Sequence, residues 1–192
     1  MADDMNKAIK DADSAERAQR IKDSLAQPVY FDYKNTSLAN DFTDTLFVKF
    51  SNDTTEDCFT FFAPKGRITE TIAVLRITNK HGRVIYKDVF YTSELISGYA
   101  TAEIKTDAEM VKYVLEQAKA ILHNGIIDPN KLPEYDYLLA LTTKEDFLNY
   151  DAYNEIKKKK RLMFFYSLHE ESGVYIGYYD EAEEVVEIAR CC

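Results

Sequence analysis

The chain has 192 residues and no tryptophan, with only three cysteines, six glycines and four prolines. So little glycine and proline argues against a fibrous or disordered protein. Three cysteines are too few to replace a core with disulfides, and 46% of the residues are hydrophobic, which is enough to build one. No apolar run approaches the length of a membrane-spanning helix. The composition predicts one globular domain with an appendage.

Short motifs of common active sites are also absent. The sequence contains no GxGxxG, Walker A, GxSxG or HExxH pattern. His81 and His169 fall in predicted hairpin turns and His123 falls at the end of a predicted helix, where ordinary surface histidines are found. We therefore expect no catalytic residue, no metal ligand and no cofactor. A hydrolase that uses carboxylates is the alternative, because a catalytic pair cannot be located among 33 acidic residues.

The charge is strongly acidic, with a formal net charge of -9. An acidic surface repels the phosphates of nucleic acids and the head groups of anionic lipids. No nucleic-acid partner is expected, and a membrane would be reached only through a lipid anchor outside this sequence. A second alternative follows from the same charge: a cytosolic acidic protein that mimics nucleic acid and blocks a DNA-binding enzyme.

Residues 28–192 are predicted to form a single α+β domain. Alternating apolar residues and turn signals predict five consecutive strands. These lie at residues 29–33, 45–50, 58–63, 67–79 and 84–91. A helix is predicted to begin at Thr106, where Glu109 completes a capping box, and to end at Asn124-Gly125. Its buried face is expected to comprise Met110, Val111, Val114, Leu115, Ala118, Ile121 and Leu122. A second capping-box pattern, Thr142 and Glu145, predicts a helical stretch toward Lys160.

The C-terminal third is predicted to form a β-meander. The predicted register pairs Phe164 with Tyr178, Tyr166 with Ile176 and Leu168 with Val174. This register gives one apolar face, whereas Tyr175 and Tyr179 would share the outer face. Exposed tyrosines on a sheet can stack on sugars or fill a protein interface, so these two residues are a candidate binding surface. The predicted fold is thus a mostly antiparallel sheet with one or two helices packed on it and a C-terminal meander.

The three cysteines allow two interpretations. Cys191 and Cys192 are adjacent, and adjacent side chains on a strand diverge, so they do not readily bond to each other or share a metal ion. Cys58 and Cys191 both fall among fairly polar positions, which could be the outer face of one sheet. We predict a Cys58–Cys191 disulfide in preference to Cys58–Cys192. Three free thiols in a cytosolic protein remain equally open, because an odd cysteine argues against a secreted disulfide framework.

Residues 1–27 are predicted to be a flexible, partly helical tether, because they are rich in alanine and charge and contain no aromatic residue. The segment resembles the spacer that follows the lipidated cysteine in lipoproteins of Gram-negative anaerobes. Four triplets match the O-glycosylation pattern of such bacteria: Asp13-Ser14-Ala15, Asp23-Ser24-Leu25, Asp44-Thr45-Leu46 and Asp53-Thr54-Thr55. The resemblance implies export to the periplasm or cell surface and implies no activity. We therefore expect a non-catalytic binding or interaction module of a bacterial cell envelope, with a protein or glycan as its partner.

Overall fold

The computed structural model describes Arg17 and residues 30–98, 100–169 and 172–191. The chain divides into two compact units, Met1–Tyr30 and Phe31–Cys192. In the first unit only Arg17, which is helical and exposed, and Tyr30 are described. The tether predicted at residues 1–27 otherwise lies outside the described residues. All the elements below belong to the second unit.

Four of the predicted strands form an antiparallel sheet, here called the first sheet, in the order β2-β3-β5-β6. Its strands are β2 (Phe42–Val48), β3 (Asp57–Ala63), β5 (Ile72–Thr78) and β6 (Val84–Tyr91). The short strands β1 (Ser37–Leu38) and β4 (Gly66–Arg67) pair separately. The strand predicted at residues 29–33 is wrong. The Asp32 carboxylate accepts the Lys34 N–H, and a 3-10 turn, Tyr33–Asn35, forms instead.

The predicted helix is α1, Asp107–Asn124. Its capping box is confirmed, because the Glu109 N–H donates to Thr106 Oγ1 at 3.2 Å and the Thr106 N–H donates to Glu109 Oε2 at 3.0 Å. The buried side chains are Met110, Val114, Ala118, Ile121 and Leu122. Val111 and Leu115 are only partly buried, so the predicted face is correct at its centre and too wide at its margin.

A second antiparallel sheet is formed after α1, in the order β10-β9-β8-β7. Its strands are β7 (Ile126–Ile127), β8 (Met163–Ser167), β9 (Gly173–Tyr179) and β10 (Glu184–Cys191). The predicted register is wrong by two residues, since Tyr166 pairs with Val174 and Phe164 with Ile176. The Leu168 N–H donates to the Ser172 carbonyl at 3.2 Å, so the ladder continues further into the turn than expected. A slip of two residues leaves every side chain on its predicted face.

Two helices lie between β7 and β8: α2 (Tyr137–Ala140) and α3 (Tyr150–Lys159). The helical stretch predicted from Thr142 is only partly correct. Thr143 opens a 3-10 turn, Lys144–Asp146, and α3 begins later, where the Asn149 side chain accepts the Ala152 N–H at 3.0 Å. α3 packs on β9 and β10.

The buried side chains form two clusters. The first lies between the first sheet, α1 and one face of the second sheet, where the Phe59 ring is 5.1 Å from both Phe50 and Phe164. The second lies on the opposite face of the second sheet, around Tyr153 and Tyr175. The fold is therefore α+β with mostly antiparallel sheet, as predicted. Among the described helices, none combines the length and the apolar character that crossing a membrane requires.

Candidate binding surface

One face of the first sheet points away from the first cluster and is here called the open face. Alternate residues on β2, β3 and β5 point to it, because successive side chains on a strand take opposite sides. On β6 a register shift follows Val84, so that Lys87 rather than Tyr86 is the next residue on this face. The strand pairing sorts its members into four cross-strand rows. These are Phe47–Cys58–Thr78–Val84, Thr45–Thr60–Arg76–Lys87, Thr43–Phe62–Val74–Val89, and Ile72–Tyr91.

Large apolar side chains remain exposed on the open face. Phe47 is 60% exposed, Val89 52% and Tyr91 50%. The face contains a shallow depression of about 550 Å³, lined by Thr43, Thr60, Phe62, Val74, Arg76, Val84 and Lys87. Contiguous exposed apolar surface of this kind marks interaction sites in globular proteins. Among its described lining residues there is no Asp, Glu, His or Cys, so they do not supply the pair of carboxyl groups that glycoside hydrolysis requires.

The central row of the open face carries two cations in direct opposition. Arg76 pairs with Lys87 across β5 and β6, and both side chains are exposed. Like charges placed opposite each other on neighbouring strands destabilise a sheet. Within the described part of the chain, neither side chain has an ion-pair or hydrogen-bond partner. The row therefore concentrates positive charge on a face whose neighbouring rows are largely apolar.

On each edge strand of the first sheet, an aspartate of the strand accepts a hydrogen bond from the backbone N–H of the following residue. Asp44 Oδ1 accepts the Thr45 N–H at 2.8 Å on β2, and Asp88 Oδ1 accepts the Val89 N–H at 2.8 Å on β6. Asp44 also contacts His123 Nε2 at 3.0 Å. Charged side chains on edge strands discourage a further strand from pairing there. The open face is thus better suited to contact a partner than the sheet edges are.

A tyrosine cluster joins the two sheets behind the open face. The Tyr86 and Tyr166 hydroxyl oxygens are 2.6 Å apart, and the Tyr166 hydroxyl donates to Asp88 Oδ2 at 2.7 Å. Burial raises the pKa of Tyr86 to about 12. Burial, together with the hydrogen bond to Tyr86, also raises the pKa of Tyr166. The hydrogen bonds of these two phenols therefore connect β6 of the first sheet to β8 of the second.

The two tyrosines predicted as an exposed pair occupy different environments. Tyr175 is 5% exposed, so its predicted exposure is wrong. Its ring lies 4.6 Å from Phe165 and 6.4 Å from Tyr137, and its hydroxyl donates to Asp136 Oδ1 at 3.3 Å. Tyr179 is partly exposed and its hydroxyl donates to Glu181, which raises its pKa to about 12. The segment from Asp136 to α3 covers the face that was expected to be open.

The cysteines are also placed differently from the prediction. Cys58 is partly buried on β3 of the first sheet, with its Sγ 3.6 Å from Thr60 Oγ1. Cys191 lies on β10 of the second sheet, opposite Gly173. The shared sheet assumed for the pair is therefore wrong. The Cys58–Cys191 bond stays a prediction, which thiol titration of the unreduced, denatured protein tests, and Cys192 lies outside the described residues.

No group of three or more His, Cys, Asp or Glu side chains that could hold a metal ion occurs in the described ranges. The loop at residues 51–57 is rich in side-chain oxygen atoms, which accept hydrogen bonds from within the loop. Asn52 Oδ1 accepts the N–H groups of Thr54 and Thr55 at 3.0 and 2.8 Å. The buried Asp57 carboxylate accepts the Ser51 N–H at 2.6 Å. This loop is a self-contained turn.

Sequence reasoning did not single out Arg76 and Lys87. The hairpin turn predicted at residues 79–83 would by itself place Arg76 opposite Tyr86. A register shift between Ile77 and Thr78 brings Arg76 opposite Lys87 instead, and nothing in the sequence signalled that shift. The turn is confirmed: Asn79 Oδ1 accepts the N–H groups of His81 and Arg83, and Gly82 takes a φ of 79°.

Compared with family models, with curated proteins and with solved structures, the chain matches none.

Proposed function

We propose that this chain is a non-catalytic binding module whose open face docks a segment of a partner protein. One observation carries the proposal: the described residues leave exposed apolar rows uncovered, with two unpaired cations between them. This arrangement does not stabilise the unbound chain, because the apolar side chains stay in water and the two like charges repel each other.

The size of the open face favours a segment over a whole folded partner. Four strands spaced about 4.8 Å apart and four rows about 6.7 Å apart give a face of roughly 14 by 20 Å, or about 300 Å². A stable interface between two folded proteins buries about 800 Å² on each side. A second copy of this chain is a poor occupant, because two chains of net charge -9 repel each other.

The shape of the face disfavours a small molecule. Small-molecule sites enclose most of the surface of their ligand, whereas the depression here is shallow and lies on a sheet surface. A helix or an extended peptide can lie along the strands and cover several rows at once. Backbone groups of such a segment need not pair with β2 or β6, where Asp44 and Asp88 already occupy edge donors.

We place this module at a bacterial cell envelope. The resemblance of residues 1–27 to lipoprotein spacers and the Asp-Ser/Thr triplets support this location. Two of the triplets lie in described parts of the chain, and Thr45 and Thr54 are both exposed. A glycan on Thr45 would cover the open face, so of these two described residues only Thr54 is compatible with both proposals. Mass spectrometry of the protein from its native cells should find a glycan on Thr54 and none on Thr45.

Selection of displayed random peptides on the full chain tests the binding function. The selected peptides are then measured against two matched variants, Val89→Asp on the open face and Leu148→Asp, which is 61% exposed outside it. We expect Val89→Asp to weaken binding by about tenfold or more, because a buried carboxylate replaces apolar contact. Leu148→Asp should leave the dissociation constant unchanged.

Two outcomes contradict the proposal. Failure to select any peptide, under conditions that yield binders to a known peptide-binding domain, would mean that the open face does not dock segments. Equal effects of the two variants would mean that the peptides bind elsewhere.

A further inference from the structure

We infer that Arg76 and Lys87 form an anion subsite that takes a carboxylate of the docked segment. The inference rests on the proposed function, because it names the chemistry that the open face recognises. It also accounts for the one feature of the face that apolar docking leaves unexplained, the pair of opposed cations.

The strand pairing brings the two cations close enough to serve one anion. Side chains directly opposite each other on antiparallel strands have Cβ atoms about 5 Å apart. The guanidinium of Arg76 can hold both oxygens of a carboxylate, and the ammonium of Lys87 adds a compact positive charge. A carboxylate between them turns a repulsive pair into an attractive triad.

The other members of the row suit the same ligand. Thr60 and Thr45 continue the row from Arg76 toward the edge of the sheet, and a hydroxyl group can donate to a carboxylate oxygen. The Thr60 hydroxyl has one hydrogen-bonding side chain in range among the described residues, Cys58, whose Sγ lies 3.6 Å from Thr60 Oγ1. No carboxylate belongs to the row itself, so an incoming anion meets no repulsion from it.

The flanking rows strengthen the subsite when a segment docks. Phe62, Val74 and Val89 lie on one side of the cations, and Phe47 and Val84 lie on the other. A segment that covers these rows excludes water from the cations, and a lower local dielectric strengthens their attraction to a carboxylate. Apolar contact and charge recognition therefore reinforce each other.

The row spacing predicts the pattern of the segment. Neighbouring rows are about 6.7 Å apart. Alternate residues of an extended chain span the same distance, and four residues of a helix span about 6 Å. The recognised segment should carry one acidic residue between two apolar residues, at a separation of two residues if extended and four if helical.

A pair of dyes separates charge recognition from apolar docking. The probe 1-anilinonaphthalene-8-sulfonate carries an apolar ring system and one anionic group, and N-phenyl-1-naphthylamine has nearly the same rings without the anion. Fluorescence titration of the full chain with both dyes is compared for wild type, for Arg76→Gln/Lys87→Gln, and for Lys112→Gln/Lys119→Gln. The last variant removes the same charge from exposed positions on α1.

We expect the open-face variant to bind the anionic dye about tenfold more weakly, the size of a charged hydrogen bond. Its affinity for the neutral dye should not change, and the α1 variant should bind both dyes as wild type does. Added salt should weaken the binding of the anionic dye and leave the binding of the neutral dye unchanged.

The remaining outcomes are also decisive. Equal binding of the anionic dye by wild type and the open-face variant would overturn the anion subsite and leave apolar docking intact. Equal losses in the two double variants would show an effect of net charge and would also overturn the subsite. If neither dye binds wild type, the same three proteins are titrated with a selected peptide and with its counterpart in which the acidic residue is replaced by the amide, and equal affinities of the two peptides for wild type would overturn the subsite. Selected peptides without the apolar–acidic–apolar pattern would overturn the subsite alone.

Discussion

The two sheets of this domain differ in whether other elements cover the face that does not contribute to the first cluster. One face of each sheet contributes to the first cluster. The second sheet has its other face covered by α2, α3 and the segment between them, which buries Tyr175. On the first sheet no described element covers the other face, where Phe47, Val89 and Tyr91 are at least half exposed. Similar strand patterns thus give a closed face in one sheet and an open one in the other.

The cations follow the same division. Near the closed face, Lys159 and Arg161 both pair with Asp180 and fix the end of α3 to the turn before β10. On the open face, Arg76 and Lys87 have no anionic partner in the described part of the chain. A covered face supplies the counter-charges from its own chain, and the open face lacks them. We propose that the bound segment provides what is missing.

The largest expected effect distinguishes the two faces of a single strand. Phe59 is fully buried on the inner face of β3, and Phe62 is partly exposed on the open face. Phe59→Ala should lower the free energy of unfolding by about 3–5 kcal/mol, because it leaves a cavity beside Phe50 and Phe164. Phe62→Ala should cost about 1 kcal/mol. Urea denaturation measures both, and equal losses would show that the open face is packed.

A second pair of substitutions compares the centre and the margin of α1. Leu122 is fully buried and Leu115 is partly buried. Leu122→Ala should cost about 3 kcal/mol and Leu115→Ala about 1 kcal/mol, because the second site has less apolar surface to lose. Denaturant midpoints provide the test. A larger loss for Leu115 than for Leu122 would mean that the helix presents a different face.

Removing hydroxyl groups compares the closed face with the open face. Tyr175→Phe deletes the hydrogen bond to Asp136 in a buried site and should cost about 1 kcal/mol. Tyr91→Phe removes an exposed hydroxyl on the open face and should cost almost nothing. Thermal unfolding of the two variants is the measurement. Identical melting temperatures for the two variants would contradict the assignment of Tyr175 to a covered face.

The smallest expected effect concerns the ion pairs that secure the closed face. Arg161, with Lys159, lowers the pKa of Asp180 in the folded protein. A lowered pKa stabilises the fold above the unfolded pKa of about 4, and this contribution is lost as pH falls through the folded pKa. Asp180→Asn should therefore cost less than about 1 kcal/mol at pH 7 and a smaller amount near pH 2.

Denaturation of Asp180→Asn at both pH values checks the sign of this effect. Asp53→Asn, in the exposed loop after β2, is the matched control and should behave as wild type at both pH values. A cost for Asp180→Asn that is as large near pH 2 as at pH 7 would mean that the carboxylate does not act through its charge.

Local signals predicted the elements well. The capping box of Thr106 and Glu109 and the turn at Asn79 are set by residues within a few positions of each other, so the sequence reveals them directly. The strand predicted at residues 29–33 failed for an equally local reason, the hydrogen bond from the Lys34 N–H to Asp32. Alternation alone did not reveal that bond.

Long-range contacts were not predictable in the same way. Whether Tyr175 is exposed depends on Tyr137 and α3, which lie far from it in sequence and reach it only in the folded domain. The open face was missed for the converse reason. Arg76 and Lys87 are ordinary charged residues in alternating strands, and they become a pair only once the hairpin register is known.

Hydroxyl-radical footprinting of the full chain, read by mass spectrometry with and without a selected peptide, tests the central claim most directly. The account predicts strong labelling of Phe47 and Tyr91 in the free protein, their protection by the peptide, and no labelling of the buried Tyr175 in either state. Protection of Phe47 and Tyr91 in the free chain, or unchanged labelling when the peptide is bound, would contradict an open face that docks a partner.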